Sequence, residues 1–249
     1  MKYVGSKNRL AKELVPIIQS YITENTVGYL EPFVGGANMI DKIIHHNKIG
    51  CDIHEELIEL LEYIQNLDNE LPQHISEDHY KEVKSNRNKY PKWYQGFVGF
   101  TASFSAIYFS GYARSMKNDG VTPRDMSNEA IRNIEKQRKN LQGIRFFSKS
   151  FLEIDIEKLK GYVIYCDPPY RGTEKYYAKN KSGFPYKEFD DWCVKMSEHN
   201  TVLISEYNMP EDNFECVWSK EHKVGNSPSH KTHGVRIEKL YTYKQRGDV

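Results

Sequence analysis

Apolar residues fall into five short, dense runs: "VGYLEPF" (27–33), "KIGCDI" (48–53), "IRFFSKSF" (144–151), "YVIYCD" (162–167) and "NTVLISEYN" (200–208). Their brevity and their β-branched and aromatic content predict strands. Amphipathic stretches separate several of them. "KNRLAKELVPIIQSYI" precedes the first, "ANMIDKIIHHN" follows it and "YKEFDDWCVKMSEHN" precedes the fifth, each predicted as a helix. This alternation predicts an α/β fold, with a mostly parallel sheet and helices on both faces. Near the C-terminal end, "FECVWSKEHKV" and "RIEKLYTYKQ" flank the polar "GNSPSHKTHG" and predict an antiparallel strand pair.

The rhythm breaks between residues 55 and 145. Helical patterns bound this interval ("EELIELLEYIQNL" and "SNEAIRNIEKQRKNLQ"), and its middle is the aromatic, glycine-punctuated "WYQGFVGFTASFSAIYFSGYARS". The expected organisation is a sheet domain from 1–54 and 146–249, interrupted by a small, mainly helical insertion at 55–145.

Charge sharpens that division. The 249 residues carry a net charge of +1, yet Lys81 to Lys149 holds fourteen Lys/Arg against five Asp/Glu, a local +9 that leaves −8 elsewhere. Such a basic block suits a polyanion, and equally a set of solvated helix faces. At 39% hydrophobic and 28% charged residues the chain reads as an ordinary soluble protein. It shows no apolar run of membrane-spanning length and no signal-peptide core at its start, so the expected location is the cytosol, with no membrane partner. Cys51, Cys166, Cys193 and Cys216 are dispersed, and His230 and His233 lack neighbouring ligands, so no metal is expected.

In an open α/β sheet, ligands collect beyond the carboxyl ends of the strands. After the first run stands "EPFVGGANM", where Gly35 and Gly36 permit a tight turn and close backbone approach, and the predicted helix beyond offers free N–H groups. Asp52 ends the second run, 17 residues past Gly35. An acid there suits the two hydroxyls of a ribose, or caps the helix that follows. The fourth run ends in Asp167-Pro168-Pro169-Tyr170. The prolines remove two donors and leave stiffly held carbonyls as acceptors beside the Asp167 carboxylate. A planar amine such as a nucleobase fits this set, with Tyr170 offering a ring to stack on. A proline-stiffened turn with a capping acid is the plainer reading.

Taken together, "YVGSK", "EPFVGG" and "DPPY", in this order around an insertion, resemble the Dam-type (D12 class) DNA adenine-N6 methyltransferases of bacteria and phages. "GFVGFTASFSAIYFSGYARS" and "VLISEYNMPEDNFECVW" are similar to phage and prophage members. The resemblance implies a Rossmann-like methyltransferase fold, S-adenosyl-L-methionine as cofactor and double-stranded DNA as partner, and it allows a cognate restriction endonuclease. It implies that Tyr3, Lys7, Glu31, Phe33, Gly35, Gly36, Asp52, Ser150, Phe151 and Asp167 surround the cofactor, with Lys7 near the methionine carboxylate. It makes Asp167, Pro168, Pro169 and Tyr170 catalytic. Arg114, Lys117 and Arg124 of the insertion, and Arg171, Lys175, Tyr176 and Tyr177 after the catalytic motif, become the candidates for DNA contact. The insertion departs from the "NG…FNVP" region of GATC-specific members, so no sequence preference carries over. Rival readings are a cytosine-N4 or RNA methyltransferase, a non-catalytic DNA-binding relative, and a nicotinamide-dependent oxidoreductase, which the lack of GxGxxG disfavours.

Overall fold

The computed structural model describes residues 1–116, 119–122, 124–172, 183–223 and 235–244. Seven strands form among them: β1 (Gly28–Glu31), β2 (Lys48–Asp52), β3 (Ile144–Ser148), β4 (Tyr162–Cys166), β5 (Thr201–Glu206), β6 (Phe214–Lys223) and β7 (Val235–Tyr243). Six α-helices accompany them: α1 (Ala11–Ser20), α2 (Glu55–Gln65), α3 (Glu77–Ser85), α4 (Lys92–Thr101), α5 (Met126–Arg138) and α6 (Tyr186–Ser197). The chain divides into two compact units, Met1–Gln19 with Val34–Ser150, and Ser20–Phe33 with Phe151–Val249.

In the second unit β1, β4 and β5 run parallel, with Gly28 opposite Tyr162 and Val163 opposite Thr201. β7 then pairs antiparallel with β5, and β6 antiparallel with β7. The fold is therefore the expected one: mostly parallel strands, helices around them and an antiparallel C-terminal pair. β4 is buried from Val163 to Cys166 and β5 from Val202 to Glu206, the continuous burial of strands covered on both faces. α6 packs Phe189, Trp192, Cys193 and Met196 inward at three- and four-residue spacing.

The first unit holds β2 and β3 as a parallel pair in register from Lys48–Ile144 to Asp52–Ser148. α2 buries Leu57, Ile58, Leu60, Leu61 and Ile64, and packs on α4, where Tyr63 and Trp93 stack. The aromatic middle of the 55–145 interval is not helical throughout. After α4 comes a loop closed by Phe104 N–H donating to the Gly111 carbonyl (2.8 Å). Ser105, Ala106 and Phe109 sit there at φ 54°, 54° and 48°, and Phe104 is left exposed.

One predicted element is corrected. "ANMIDKIIHHN" forms only a short 3-10 turn, Ile40–Lys42. Side chains take the hydrogen bonds that a helix would have used. Lys42 Nζ donates to the Asn38 carbonyl (2.6 Å), and Lys48 Nζ to those of Ile40 and Ile43 (3.1 and 3.2 Å). The Gln19 amide brackets Ile44, accepting from its N–H and donating to its carbonyl. Ala37, at φ 55°, turns the chain out of helical geometry at the outset. Gly35-Gly36 therefore has no α-helix N-terminus behind it. β3 also stops at Ser148, short of the expected 151, and Phe151 opens a separate 3-10 turn. No described helix is long and apolar enough to cross a membrane.

Candidate active site

In the first unit, Asp52 closes β2 onto the glycine turn. Its Oδ2 accepts the Gly35 N–H (3.2 Å) and its Oδ1 the His54 N–H (3.0 Å). Burial raises its pKa to about 6, against the downward pull of those backbone donors. The turn itself demands glycine. Gly35 sits at φ +48°, and a Cβ there would stand 2.9 Å from the Tyr3 ring. A Cβ on Gly36 would stand 2.7 Å from Asn38 Nδ2 and 2.9 Å from Tyr3 Cβ. The "YVGSK" and "FVGG" elements, which the sequence places 30 residues apart, are thus in direct contact. Tyr3 rests on Phe100 of α4. α5 braces the same turn: Gln137 Nε2 donates to the carbonyls of Gly36 (3.1 Å) and Ala37 (3.0 Å). Lys7 begins a short 3-10 turn capped by Ser6, and Ser150 lies just beyond β3.

In the second unit, Phe33 and Phe151 meet at 5.6 Å between ring centroids. Phe184, Phe189 and Trp192 complete an aromatic cluster around them. These three partners escaped the sequence reading, although Phe189 and Trp192 lie on the apolar face of the predicted α6. Glu31 ends β1 buried and accepts the Tyr29 hydroxyl (2.7 Å).

The Asp167-Pro168-Pro169-Tyr170 turn leaves β4 in the same unit. Asp167 is half-buried and Pro168 buried. Tyr170 differs from its expected form as an open platform: it is only 7% exposed, its ring lies edge-on to Tyr207 at 4.6 Å, and its hydroxyl donates to Glu238 on β7. Burial first, then the charges of Asp167 and Glu238, hold its phenol well above the ordinary pKa. Glu206, at the end of β5, accepts the N–H groups of Arg171 (2.7 Å) and Tyr207 (2.6 Å). Burial raises its pKa as well. The sequence signal for both acids was present but faint, a glutamate inside each of two predicted strands.

The expected DNA-contact residues separate. Arg171 is engaged within the protein, with both Asp190 oxygens at 2.7 Å from Nη2, the Asn208 carbonyl at 3.1 Å from Nη1, and its guanidinium over the Tyr186 ring. Arg114 and Arg124 form exposed two-pronged pairs with Glu77 and Glu129. Lys117, Lys175, Tyr176 and Tyr177, like His230 and His233, lie outside the described residues. Among the described residues no group of three or more His, Cys, Asp or Glu is placed to hold a metal ion.

No curated protein matches this chain. Among solved structures, the rRNA methyltransferase aviRa from Streptomyces viridochromogenes aligns with a TM-score of 0.46 at 10% identity, over 97% of this chain and 86% of that one. The family model described as D12 class N6 adenine-specific DNA methyltransferase matches residues 3–224, a span that takes in the N-terminal element, the glycine turn, the insertion and the Asp-Pro-Pro-Tyr turn. The chain belongs to the D12 class of N6 adenine-specific DNA methyltransferases.

Proposed function

We propose that the enzyme transfers a methyl group from S-adenosyl-L-methionine to the exocyclic N6 of an adenine extruded from double-stranded DNA. The observation that carries the reading is the acceptor set after β4: the Asp167 carboxylate and the carbonyls of two prolines, on a turn pinned from behind by Glu206 and Glu238.

S-adenosylmethionine, when bound, supplies an electrophilic methyl group. Asp52 fits its ribose: its carboxylate is ionisable, half-buried and held in place by the N–H groups of Gly35 and His54, an acceptor for hydroxyl donors. Tyr3, Glu31 and Phe33 are assigned to the cofactor as well, with Lys7 at its methionine carboxylate, Gly35 and Gly36 along its methionine portion, and Ser150 and Phe151 by its adenine.

For the target base, Asp167 and the Pro168 carbonyl accept the two N–H bonds of the amine and draw its nitrogen toward tetrahedral geometry. Their negative ends stabilise the positive charge that grows there, a preorganised electrostatic effect. Asp167 is not required as a strong base, because the methylated amine is acidic enough to lose its proton to water. Pro169 keeps the turn stiff. Extruding the base costs a few kcal/mol; Tyr170, buried against Tyr207 and Glu238, is assigned to bracing the turn that receives the base rather than to offering it an open ring. The insertion at 55–145 is assigned to target recognition, with Arg114, Lys117 and Arg124 on the duplex. Lys175, Tyr176 and Tyr177 join it, and Arg171 does so by exchanging Asp190 for phosphate. The work is placed in the cytoplasm of a bacterial or phage-infected cell.

Labelled-methyl transfer to duplex DNA, followed by nucleoside analysis, tests this. N6-methyladenine should form, and Asp167→Ala should lower turnover at least about a thousandfold with DNA binding retained. Product at cytosine N4, or an active Asp167→Ala enzyme, would refute it.

A further inference from the structure

Two buried acids stand behind the catalytic turn, and neither is among the groups assigned to substrate or cofactor. Glu238 on β7 is 4% exposed and accepts the Tyr170 hydroxyl, while Glu206 on β5 is fully buried and accepts the next backbone N–H, that of Arg171. The strand register pairs Glu206 with Lys239, one residue along from Glu238, and the two acids are near enough for the Glu238 charge to add to the upward shift of Glu206. Like charges placed side by side away from water work against stability, and an apolar pair of the same shape would avoid that penalty. What two acids provide is fixed geometry. A phenol held by a carboxylate makes a charge-assisted hydrogen bond, stronger and more directional than a neutral one. Tyr170 follows Pro169 directly, so gripping its hydroxyl and the N–H beyond it fixes how the whole turn is presented. The edge-on Tyr207 ring blocks rotation on another side.

We infer that Glu238 is a positioning residue for methyl transfer, acting through the Tyr170 hydroxyl to set the orientation of the Asp167–Tyr170 turn. The inference rests on the role proposed for that turn.

Steady-state methylation of an adenine-containing duplex by Glu238→Ala, Glu238→Gln, Tyr170→Phe and the Tyr170→Phe/Glu238→Ala double variant tests it. Asp167→Ala serves as reference. Glu238→Ala should lower kcat about tenfold or more, with the KM for DNA and the cofactor Kd within about twofold of the parent. Glu238→Gln, whose amide oxygen still accepts, should recover most of the loss. The double variant should be no slower than the slower single one, because both changes remove the same contact. Should Glu238→Ala fail to fold, Glu238→Met fills the volume without an acceptor oxygen of comparable strength and takes its place. A Glu238→Ala kcat within about twofold of the parent, or losses that multiply in the double variant, overturns the inference. An Asp167→Ala enzyme that keeps full turnover sinks the underlying reading instead.

Discussion

Asp52 at the end of β2 and Glu206 at the end of β5 are the same kind of group in the same kind of place. Each is a carboxylate raised in pKa by burial, and each receives a backbone N–H on either oxygen. The differences lie in distance and exposure. Asp52 holds its donors at 3.2 and 3.0 Å and is only half-buried, whereas Glu206 holds its own at 2.7 and 2.6 Å with no exposure at all. Shorter bonds to a sealed group suit a structural rivet, and longer bonds to a partly open one suit the seat proposed for the cofactor ribose.

The largest expected effect is on the seat. Asp52→Ala should weaken S-adenosylmethionine binding by about a hundredfold or more, since two charged hydrogen bonds contribute roughly 1.5–3 kcal/mol each. Titration calorimetry measures this, and unchanged affinity would erase the distinction drawn between the two acids. pH sharpens the same point. The folded protein holds the Asp52 proton up to about pH 6, above the ordinary carboxylate range, so this group's contribution to stability declines as pH rises from about 4 to 6 and is level beyond. Binding runs the opposite way, because hydroxyl donors favour the ionised carboxylate. Cofactor Kd should rise as pH falls below about 6, approaching tenfold per unit, and should lose that dependence in Asp52→Asn.

For the rivet, Glu206→Ala leaves two buried N–H groups without their acceptor, a cost of about 1–3 kcal/mol. The melting temperature should drop by about 2–4 °C for each kcal/mol, with cofactor affinity intact. A stable Glu206→Ala protein with weakened cofactor binding would invert the comparison. The smallest effect is expected outside both regions. Arg114 is 72% exposed, so its pair with Glu77 contributes about 0–1 kcal/mol. Arg114→Ala should leave melting unchanged, weaken DNA binding severalfold and reduce the salt slope of log K by about one.

Much of this architecture was legible in the sequence. The five apolar runs became β1 to β5, the C-terminal pair formed, and Asp-Pro-Pro-Tyr left a strand as its pattern required. What escaped depended on partners distant along the chain. The helix expected at 37–47 lost to Lys42, Lys48 and Gln19, whose side chains captured its carbonyls and N–H groups. Tyr170 was expected to be open because nothing near it in sequence reveals Glu238, 68 residues away, or Tyr207. Arg171, a candidate for DNA contact from its sequence, hides its ion pair for the same reason, Asp190 being a full helix turn into α6. Periodicity reports which face of an element is apolar; it does not report which polar group waits on the facing element.

The grip of Gln137 on the Gly36 and Ala37 carbonyls has a thermodynamic corollary. α5 ends the basic insertion, and the glycine turn adjoins Asp52, so one amide joins the part assigned to reading DNA with the part assigned to the methyl donor. If duplex binding displaces α5 and thereby alters donor affinity by some factor, then the donor must alter duplex affinity by that identical factor. Measuring either ligand's grip with and without the other yields one number twice, and Gln137→Ala is the change that should bring it toward unity.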